Sequence, residues 1–321
     1  MRKILVLLTF IIAFILNVNS QTRIGKFEIE GKHNKLNKKT LASFKNTKTY
    51  FIFIESENAG YTKTDYENIL NEVWNITPFQ VITEDEFYEV AEEKAAFAQF
   101  RAFSITRHGK YGSTVFSYHV LDFWLIDKLK KLDTEKKKLK AKRKTVAAIY
   151  FTPDINSRQQ IVSGKKSISG DLMNYRLGYI KNYLQHINHG LKEKKSFNMF
   201  DDFINKDKIG ELNNKTLYMS ENFIYSYSPW KVEEKEEKMT PEKLFEDYEH
   251  TYKVISDKEL NNKILANEDF YYLMYNQNVS IKVISVVNGK TGEIIYSTYK
   301  SMSYNLKSKN LKELSRKISK N

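Results

Sequence analysis

Residues 79–87 read FQVITEDEF, and residues 252–260 repeat the same pattern of residue types, without a gap, as YKVISDKEL. Each copy begins with a short run of aromatic and β-branched side chains, which is typical of a strand. The hydroxyl residue that follows, Thr83 or Ser256, precedes an acidic turn, and this combination predicts the start of a helix. A strand-to-helix unit that occurs twice indicates a duplicated module; the alternative is that two generic α/β halves are alike by chance.

The segments around both copies follow one order. Hydrophobic periodicity predicts strand, helix, strand, helix, three strands and helix over residues 48–195, and the same order over residues 196–321. We therefore expect an α/β (α+β) fold built as a tandem duplicated module, each half a mixed sheet packed by helices in the order β-α-β-α-β-β-β-α. In the first half we expect a helix over 62–75 capped by Thr64, a helix after Thr83 that carries Phe97, and a long helix over 171–195.

The amino-terminal residues predict export. Arg2 and Lys3 precede an apolar run over residues 4–16, and a polar segment ending at Ser20 follows, which is the pattern of a secretory signal peptide over residues 1–20. The alternative is a membrane anchor, but the run is shorter than the ~20 residues needed to span a bilayer. We expect a periplasmic, outer-membrane-associated or extracellular location, with no transmembrane segment in the mature chain.

The rest of the chain is expected to begin with an exposed lead-in over residues 21–47, because this segment is polar and rich in Lys and Asn. The chain contains no cysteine, which excludes disulfides, thiolate metal sites and a lipid-bearing cysteine at the cleavage site.

The strand-to-helix units over 62–90 and 240–265, together with a terminal hairpin that contains the segment TGEIIY over residues 291–296, resemble known envelope modules. The pattern is similar to that of the periplasmic α/β modules of the TolB amino-terminal domain and of the CsgG curli-secretion lipoproteins. This chain lacks the lipid-bearing cysteine of the latter and the propeller repeats of the former. The resemblance implies an envelope-associated, non-catalytic assembly or interaction role, and it transfers no site residues.

The formal net charge is +13, and one cluster of basic residues stands out. It lies between two predicted strands and is expected to form a protruding hairpin loop or a short helical excursion. Its members are Lys128, Lys130, Lys131, Lys136, Lys137, Lys138, Lys140, Lys142, Arg143 and Lys144. One interpretation is electrostatic contact with an anionic membrane surface, glycan or acidic partner. The other is a solvated loop without a partner, with the wider Lys excess a matter of composition.

Other motifs nominate no catalytic residue and no cofactor. His186 and His189 lie at i and i+3 of a predicted helix and are candidate metal ligands, although both also suit the carboxyl end of a helix. Asp201 and Asp202 are adjacent, so their side chains point apart and do not form a pair of catalytic acids. The sequence GKT at 289–291 lacks the upstream glycine of a phosphate-binding loop and is expected to form a hairpin turn.

The expected function is that of a secreted, non-enzymatic cell-envelope protein that acts as a binding or assembly module for a protein or surface partner. The alternative is a binding protein for an anionic glycan or lipopolysaccharide, which uses the basic cluster. An enzyme is least favoured because no motif supplies a nucleophile, base or metal. Nucleic acid is also disfavoured, because no aromatic residue is interleaved with the basic residues of the cluster.

Overall fold

A computed structural model describes residues 22–24, 36–54, 60–110, 112–154, 172–198, 201–226, 237–278 and 281–321. The fold is mixed α/β, as predicted, and contains two six-stranded mixed sheets. The signal peptide predicted over residues 1–20 lies outside the described residues.

The first sheet has the order β1-β6-β5-β4-β2-β3. Its strands are β1 (Thr22–Ile24), β2 (Thr49–Ile52), β3 (Phe79–Ile82), β4 (Ala96–Gly109), β5 (Gly112–Asp133) and β6 (Lys138–Phe151). β2 runs parallel to both β3 and β4, and the remaining neighbours are antiparallel.

The second sheet has the order β11-β8-β12-β13-β14-β7, and a separate two-stranded ribbon joins β9 to β10. The strands of this half are β7 (Phe203–Ile204), β8 (Leu217–Ser220), β9 (Tyr225–Ser226), β10 (Glu237–Lys238), β11 (Tyr252–Ile255), β12 (Tyr271–Asn278), β13 (Ile281–Asn288) and β14 (Ile294–Lys300). β8 is parallel to β11 and β12, and β12, β13, β14 and β7 pair in antiparallel fashion. The two sheets thus share one strand order and one set of directions, with Val81 and Val254 on equivalent edge strands.

Seven α-helices are present in the described part of the chain. They are α1 (Lys38–Lys45), α2 (Lys63–Val73), α3 (Leu177–Lys192), α4 (Lys206–Ile209), α5 (Pro241–Leu244), α6 (Asp257–Leu265) and α7 (Ser308–Ile318). Short 3₁₀ turns occupy Glu86–Tyr88, Gly210–Asn213 and Glu221–Ile224.

The prediction of a helix after Thr83 is wrong, because only the 3₁₀ turn Glu86–Tyr88 forms there. The predicted capping contacts are present: the backbone N–H of Thr83 donates to Glu86 Oε2 over 2.6 Å. The helix does not continue past this turn, and the chain already bonds to β5 through Lys94 N and Ala95 O, both paired with Ile126, before β4 begins at Ala96. Phe97, expected on that helix, pairs with Tyr50 in the sheet and packs 4.9 Å from the ring of Trp124.

Two helix starts also differ from prediction. Thr62, rather than Thr64, caps α2, because its Oγ1 accepts from Asp65 N and the Asp65 carboxylate accepts from Thr62 N. α3 begins only at Leu177, since Arg176 is extended, so the helix is shorter than the predicted 171–195.

Several described residues of the predicted lead-in are buried rather than exposed. Thr22–Ile24 adds a strand to the first sheet beside β6, and its side chains have at most 2% of their surface exposed. α1 buries Leu41 and Phe44, which are three residues apart and therefore share one helix face. The surrounding Lys and Asn residues concealed this short apolar pattern.

The largest core combines side chains from both sheets with α1, α2, α3 and α6. α3 is buried along most of its length and is hydrogen-bonded to both halves of the chain. Asn188 Oδ1 accepts from Asn75 N over 3.0 Å on one side, and Tyr179 OH donates to Asp257 Oδ1 over 2.8 Å on the other. The two sheets therefore share α3 as a common element.

Replacing Gly190 of α3 tests this close packing. A Cβ there would lie 2.1 Å from Phe197 Cε2 and 2.3 Å from Ile24 Cδ1. In an exposed helix Gly→Ala stabilises by ~1 kcal/mol, but we expect Gly190→Ala to lower the free energy of unfolding by about 1–3 kcal/mol through overpacking. Urea unfolding measures the change, with Ser43→Ala on the exposed side of α1 as control. A stabilised Gly190→Ala variant would contradict the packing described.

Candidate functional site

The basic cluster found in the sequence forms the end of the β5–β6 hairpin. We call residues 127–144 the lysine ribbon. The pairing of β4 with β5 stops at Leu125, and β1 pairs with β6 only around Ala148. Within the described strands, the ribbon is therefore two strands wide, and it extends about 20 Å beyond the rest of the sheet at 3.3 Å per residue. It is a hairpin and not a helical excursion.

The ribbon has an apolar face and a basic face, because side chains alternate along a strand. Leu129, Leu132, Leu139 and Ala141 are half-buried against a cluster that includes Trp124. All ten predicted basic residues are exposed, and these are Lys128, Lys130, Lys131, Lys136, Lys137, Lys138, Lys140, Lys142, Arg143 and Lys144. The apolar face thus fixes the ribbon to the protein and leaves the lysines in solvent.

Lysines lie directly opposite each other across the two strands. Lys128 pairs in register with Lys142, and Lys131 pairs with Lys140. Like charges in such positions destabilise a sheet by up to ~1 kcal/mol per pair. The register therefore concentrates positive charge at an energetic cost.

Acidic residues neutralise only part of this charge. Asp127 lies 2.5 Å from Lys144 Nζ and 3.4 Å from Lys142 Nζ, and the hydrogen bond from Lys144 is the main cause of its lowered pKa. Asp85 Oδ1 lies 2.5 Å from Lys137 Nζ, and the hydrogen bond between them raises the pKa of Lys137. In the described part of the chain, several lysines of the ribbon have no ion-pair partner: Lys128, Lys130, Lys131, Lys136, Lys138 and Lys140.

Contacts at the base and tip hold the ribbon in place. Leu129 N donates to Glu93 Oε1 over 3.1 Å, and Lys136 N donates to Asp133 Oδ1 over 2.9 Å at the turn. The guanidinium of Arg143 lies 4.0 Å from the centre of the Trp124 ring, which is a favourable cation–π distance.

Arg101 on β4 is a further basic residue close to Arg143, and sequence reasoning missed it. Its Nη1 lies 3.0 Å from Asp122 Oδ2, whose side chain is almost fully buried. Burial raises the pKa of Asp122, and Arg101 opposes that rise. Burial, followed by the charge of Arg101, lowers the pKa of Arg143. Arg101 lies far from the basic cluster in sequence, so only the β4–β5 register could have revealed it.

The two candidate metal ligands lie in different surroundings. His186 is buried, with its ring 4.6 Å from that of Phe197, whereas His189 is exposed. Burial, with a smaller contribution from His189, lowers the pKa of His186 to about 3. No group of three or more His, Cys, Asp or Glu side chains suited to a metal occurs among the residues that the structure describes.

Other titratable groups are enclosed by packing. His119 on β5 is 1% exposed, neither ring nitrogen has a hydrogen-bond partner within the described ranges, and burial lowers its pKa to about 4. Asp202 Oδ1 accepts from Thr298 Oγ1 and Tyr299 N, each over 2.9 Å, which is a structural role at a strand end. The 288–292 segment is a hairpin turn, as predicted, with Gly292 at φ +68°.

Lys282 on β13 is a fully buried lysine that the sequence analysis did not single out. Its Nζ donates to the Asn305 carbonyl over 2.5 Å and to Asn310 Oδ1 over 2.7 Å. Burial, followed by the charges of Lys307, Lys309 and Lys300, lowers its pKa to about 7. This lysine joins β13 to the start of α7 and is closed to solvent.

Neither the length and polarity of the helices nor similarity to known proteins gives a further indication of function. Across the described ranges, no helix is both long enough and apolar enough to cross a membrane. No protein-family model, no curated protein and no solved structure matches the chain. The resemblance to TolB and CsgG modules therefore remains a likeness of element pattern.

Lys282 makes the stability of the protein depend on pH. Its folded-state pKa of about 7 lies below the ordinary value of 10.5, so the unfolded chain binds more protons between these values. We expect the free energy of unfolding to rise from pH 7 to pH 9, by at most about 1.4 kcal/mol per pH unit. Lys282→Met should abolish the rise in urea titrations, and exposed Lys258→Met should keep it. If the rise is unchanged in Lys282→Met, the pH dependence of the free energy of unfolding comes from another group.

The like-charge pairs of the ribbon yield a second expectation. In the double variant Lys128→Glu, Lys140→Glu, each glutamate faces a lysine, Lys142 or Lys131. We expect the free energy of unfolding to rise by about 0.2–1 kcal/mol per pair, because attraction replaces repulsion. Thermal unfolding at low salt measures it, and the gain should shrink at high salt. A loss of stability would show that the lysines are not opposed.

Proposed function

We propose that this protein is an exported, non-enzymatic binding or assembly module of the cell envelope, and that its lysine ribbon contacts an anionic partner. One observation carries the proposal: the ribbon holds lysines opposite lysines, exposed and largely without acidic partners among the described residues. Such an arrangement lowers stability when the protein is free. An anionic partner would relieve the repulsion and gain about 1 kcal/mol per basic contact.

Binding accounts for these features better than catalysis does. The buried titratable groups His119, His186 and Lys282 are closed to solvent. The charges that shift their pKa values come from other residues, so these three groups do not act on one another. A catalytic site requires such groups to meet at a place that substrate can reach.

The proposed export would bring the lysine ribbon to the cell envelope, where anionic surfaces are abundant. The proposal of export rests on Arg2, Lys3, the apolar run over residues 4–16 and the polar segment ending at Ser20. Periplasmic, outer-membrane-associated and extracellular locations all fit this leader. The absence of cysteine leaves no residue for lipid attachment by the lipoprotein route.

A duplicated module is the proposed origin of the two sheets. The gapless sequence echo between residues 79–87 and 252–260 supports it, as does the shared strand order β3-β2-β4-β5-β6-β1 and β11-β8-β12-β13-β14-β7. The copies have diverged: β5 and β6 carry the ribbon, whereas the equivalent β13 and β14 end in a tight turn at Gly292. Binding is thus assigned to the first half.

A glycan or lipopolysaccharide is a specific second candidate partner. The observation that favours it is the composition of the ribbon, which contains no aromatic residue and turns its leucines toward the protein. Acidic sugars need charge neutralisation and hydrogen-bond donors, which lysines supply.

Charge reversal tests the role of the ribbon. The purified full chain is assayed against vesicles containing anionic phospholipid, vesicles containing lipopolysaccharide, and polygalacturonate. We expect binding to at least one of them at low salt, weakening as salt is raised. The double variant Lys128→Glu, Lys140→Glu should bind at least tenfold more weakly, because two charges are reversed and the net charge at the contact falls by four units.

The matched control is Lys38→Glu, Lys39→Glu, which changes the net charge equally. Both lysines are exposed in the first turn of α1, where acidic side chains are tolerated. It should retain binding within about twofold. Equal binding by the ribbon variant, or no binding to any of the three surfaces, would refute the proposal.

A further inference from the structure

The lysines of β6 form a single row. Lys138, Lys140, Lys142 and Lys144 occupy every second position of the strand, so their side chains leave the same face. At 3.3 Å per residue, neighbouring lysines are about 6.6 Å apart and the row is about 20 Å long. Lys128 and Lys131 lie beside it on β5, about 4.8 Å away across the ladder.

The surface that these lysines offer is long and narrow. Within the described residues, no third strand lies beside the ribbon, and its opposite face packs on the protein through Leu129, Leu132, Leu139 and Ala141. A chain laid along β6 would meet all four lysines within the width of the strip, whereas a wide flat partner would extend past the strip on both sides.

The ribbon also lacks the side chains that other polyanions require. Residues 127–144 contain no Trp or Tyr, which anchor proteins at the headgroup level of membranes, and no aromatic ring on which nucleic-acid bases can stack. The ribbon instead presents a row of flexible lysine ammonium groups, which can pair with regularly spaced carboxylate or sulfate groups.

We propose that the lysine ribbon binds a linear acidic polysaccharide lengthwise along β6. This inference rests on the proposed function and adds the class and orientation of the partner. Lys138, Lys140, Lys142 and Lys144 contact successive acidic sugars on one edge of the polymer. Lys128 and Lys131 contact the same chain from β5. Asp127, which is held by Lys142 and Lys144, marks the inner end of the track.

The experiment uses the full chain and labelled oligogalacturonates of two, four, eight and sixteen units, followed by fluorescence anisotropy at several salt concentrations. We expect affinity to rise at least tenfold from two units to eight, as the row fills, and then to level off. Methyl-esterified oligomers, which lack the charge, should not bind. Vesicles with anionic phospholipid should bind more weakly than sixteen-unit chains at equal charge.

Removing the ends of the row tests the orientation. In Lys138→Gln, Lys144→Gln the slope of log affinity against log salt should fall by about one for each lysine removed. Lys38→Gln, Lys39→Gln in α1 should leave the slope unchanged. Affinity that does not depend on chain length, or a slope that is unchanged in the end-of-row variant, would overturn the inference.

The two proposals can fail separately. If vesicles bind through the ribbon and oligogalacturonates do not, the linear-glycan inference is wrong and the proposed function stands. If neither binds, or if binding survives in Lys128→Glu, Lys140→Glu, both are wrong. Because that variant is expected to gain stability, a loss of binding is not explained by unfolding.

Discussion

The burial of α3 on nearly every side is the constraint on which the rest of the structure depends. Its apolar side chains enter the core shared by both sheets, so its polar side chains must also find partners inside the protein. Lys181 Nζ reaches Glu72 over 2.6 Å and Asn267 over 2.9 Å, and Tyr272 OH donates to Asn182 Oδ1 over 2.9 Å. Separating the halves would expose the apolar stripe and break these bonds together. The two sheets are therefore mutually dependent.

Local signals in the sequence were sufficient for most strands and for the basic cluster, but not for features set by tertiary contacts. Thr83 and Ser256 make the same capping contact, because each hydroxyl oxygen accepts from the backbone N–H three residues further along the chain. A regular helix continues only after Ser256, whereas the chain after Thr83 forms a single 3₁₀ turn before it enters β4. The polar positions of α3, such as Lys181, carry no local signal of burial, because burial there depends on a second sheet far along the chain.

Some features of the candidate site could likewise be predicted from the sequence, whereas others depend on tertiary contacts. Ten basic residues in one short stretch are visible without a structure, and a protruding hairpin was one of the two forms expected for them. Which lysine faces which could not be predicted, because the β5–β6 register shifts between Ile126 and Lys128 and between Leu129 and Lys131. Because of these register shifts, lysines of β5 lie directly opposite lysines of β6. The position of Arg101 near Arg143 likewise depends on the register of β4 with β5.

The length of β5 has a mechanical consequence. This strand runs for 22 residues, from the β4–β5 turn to the tip of the lysine ribbon, or about 70 Å. Its ladder with β4 extends from Leu125 opposite Ala96 to Gly112 opposite Gly109. Tension applied at the tip would act along the strand, in shear, and would load all of these hydrogen bonds at once rather than one after another. A tethered partner would therefore pull against the whole sheet.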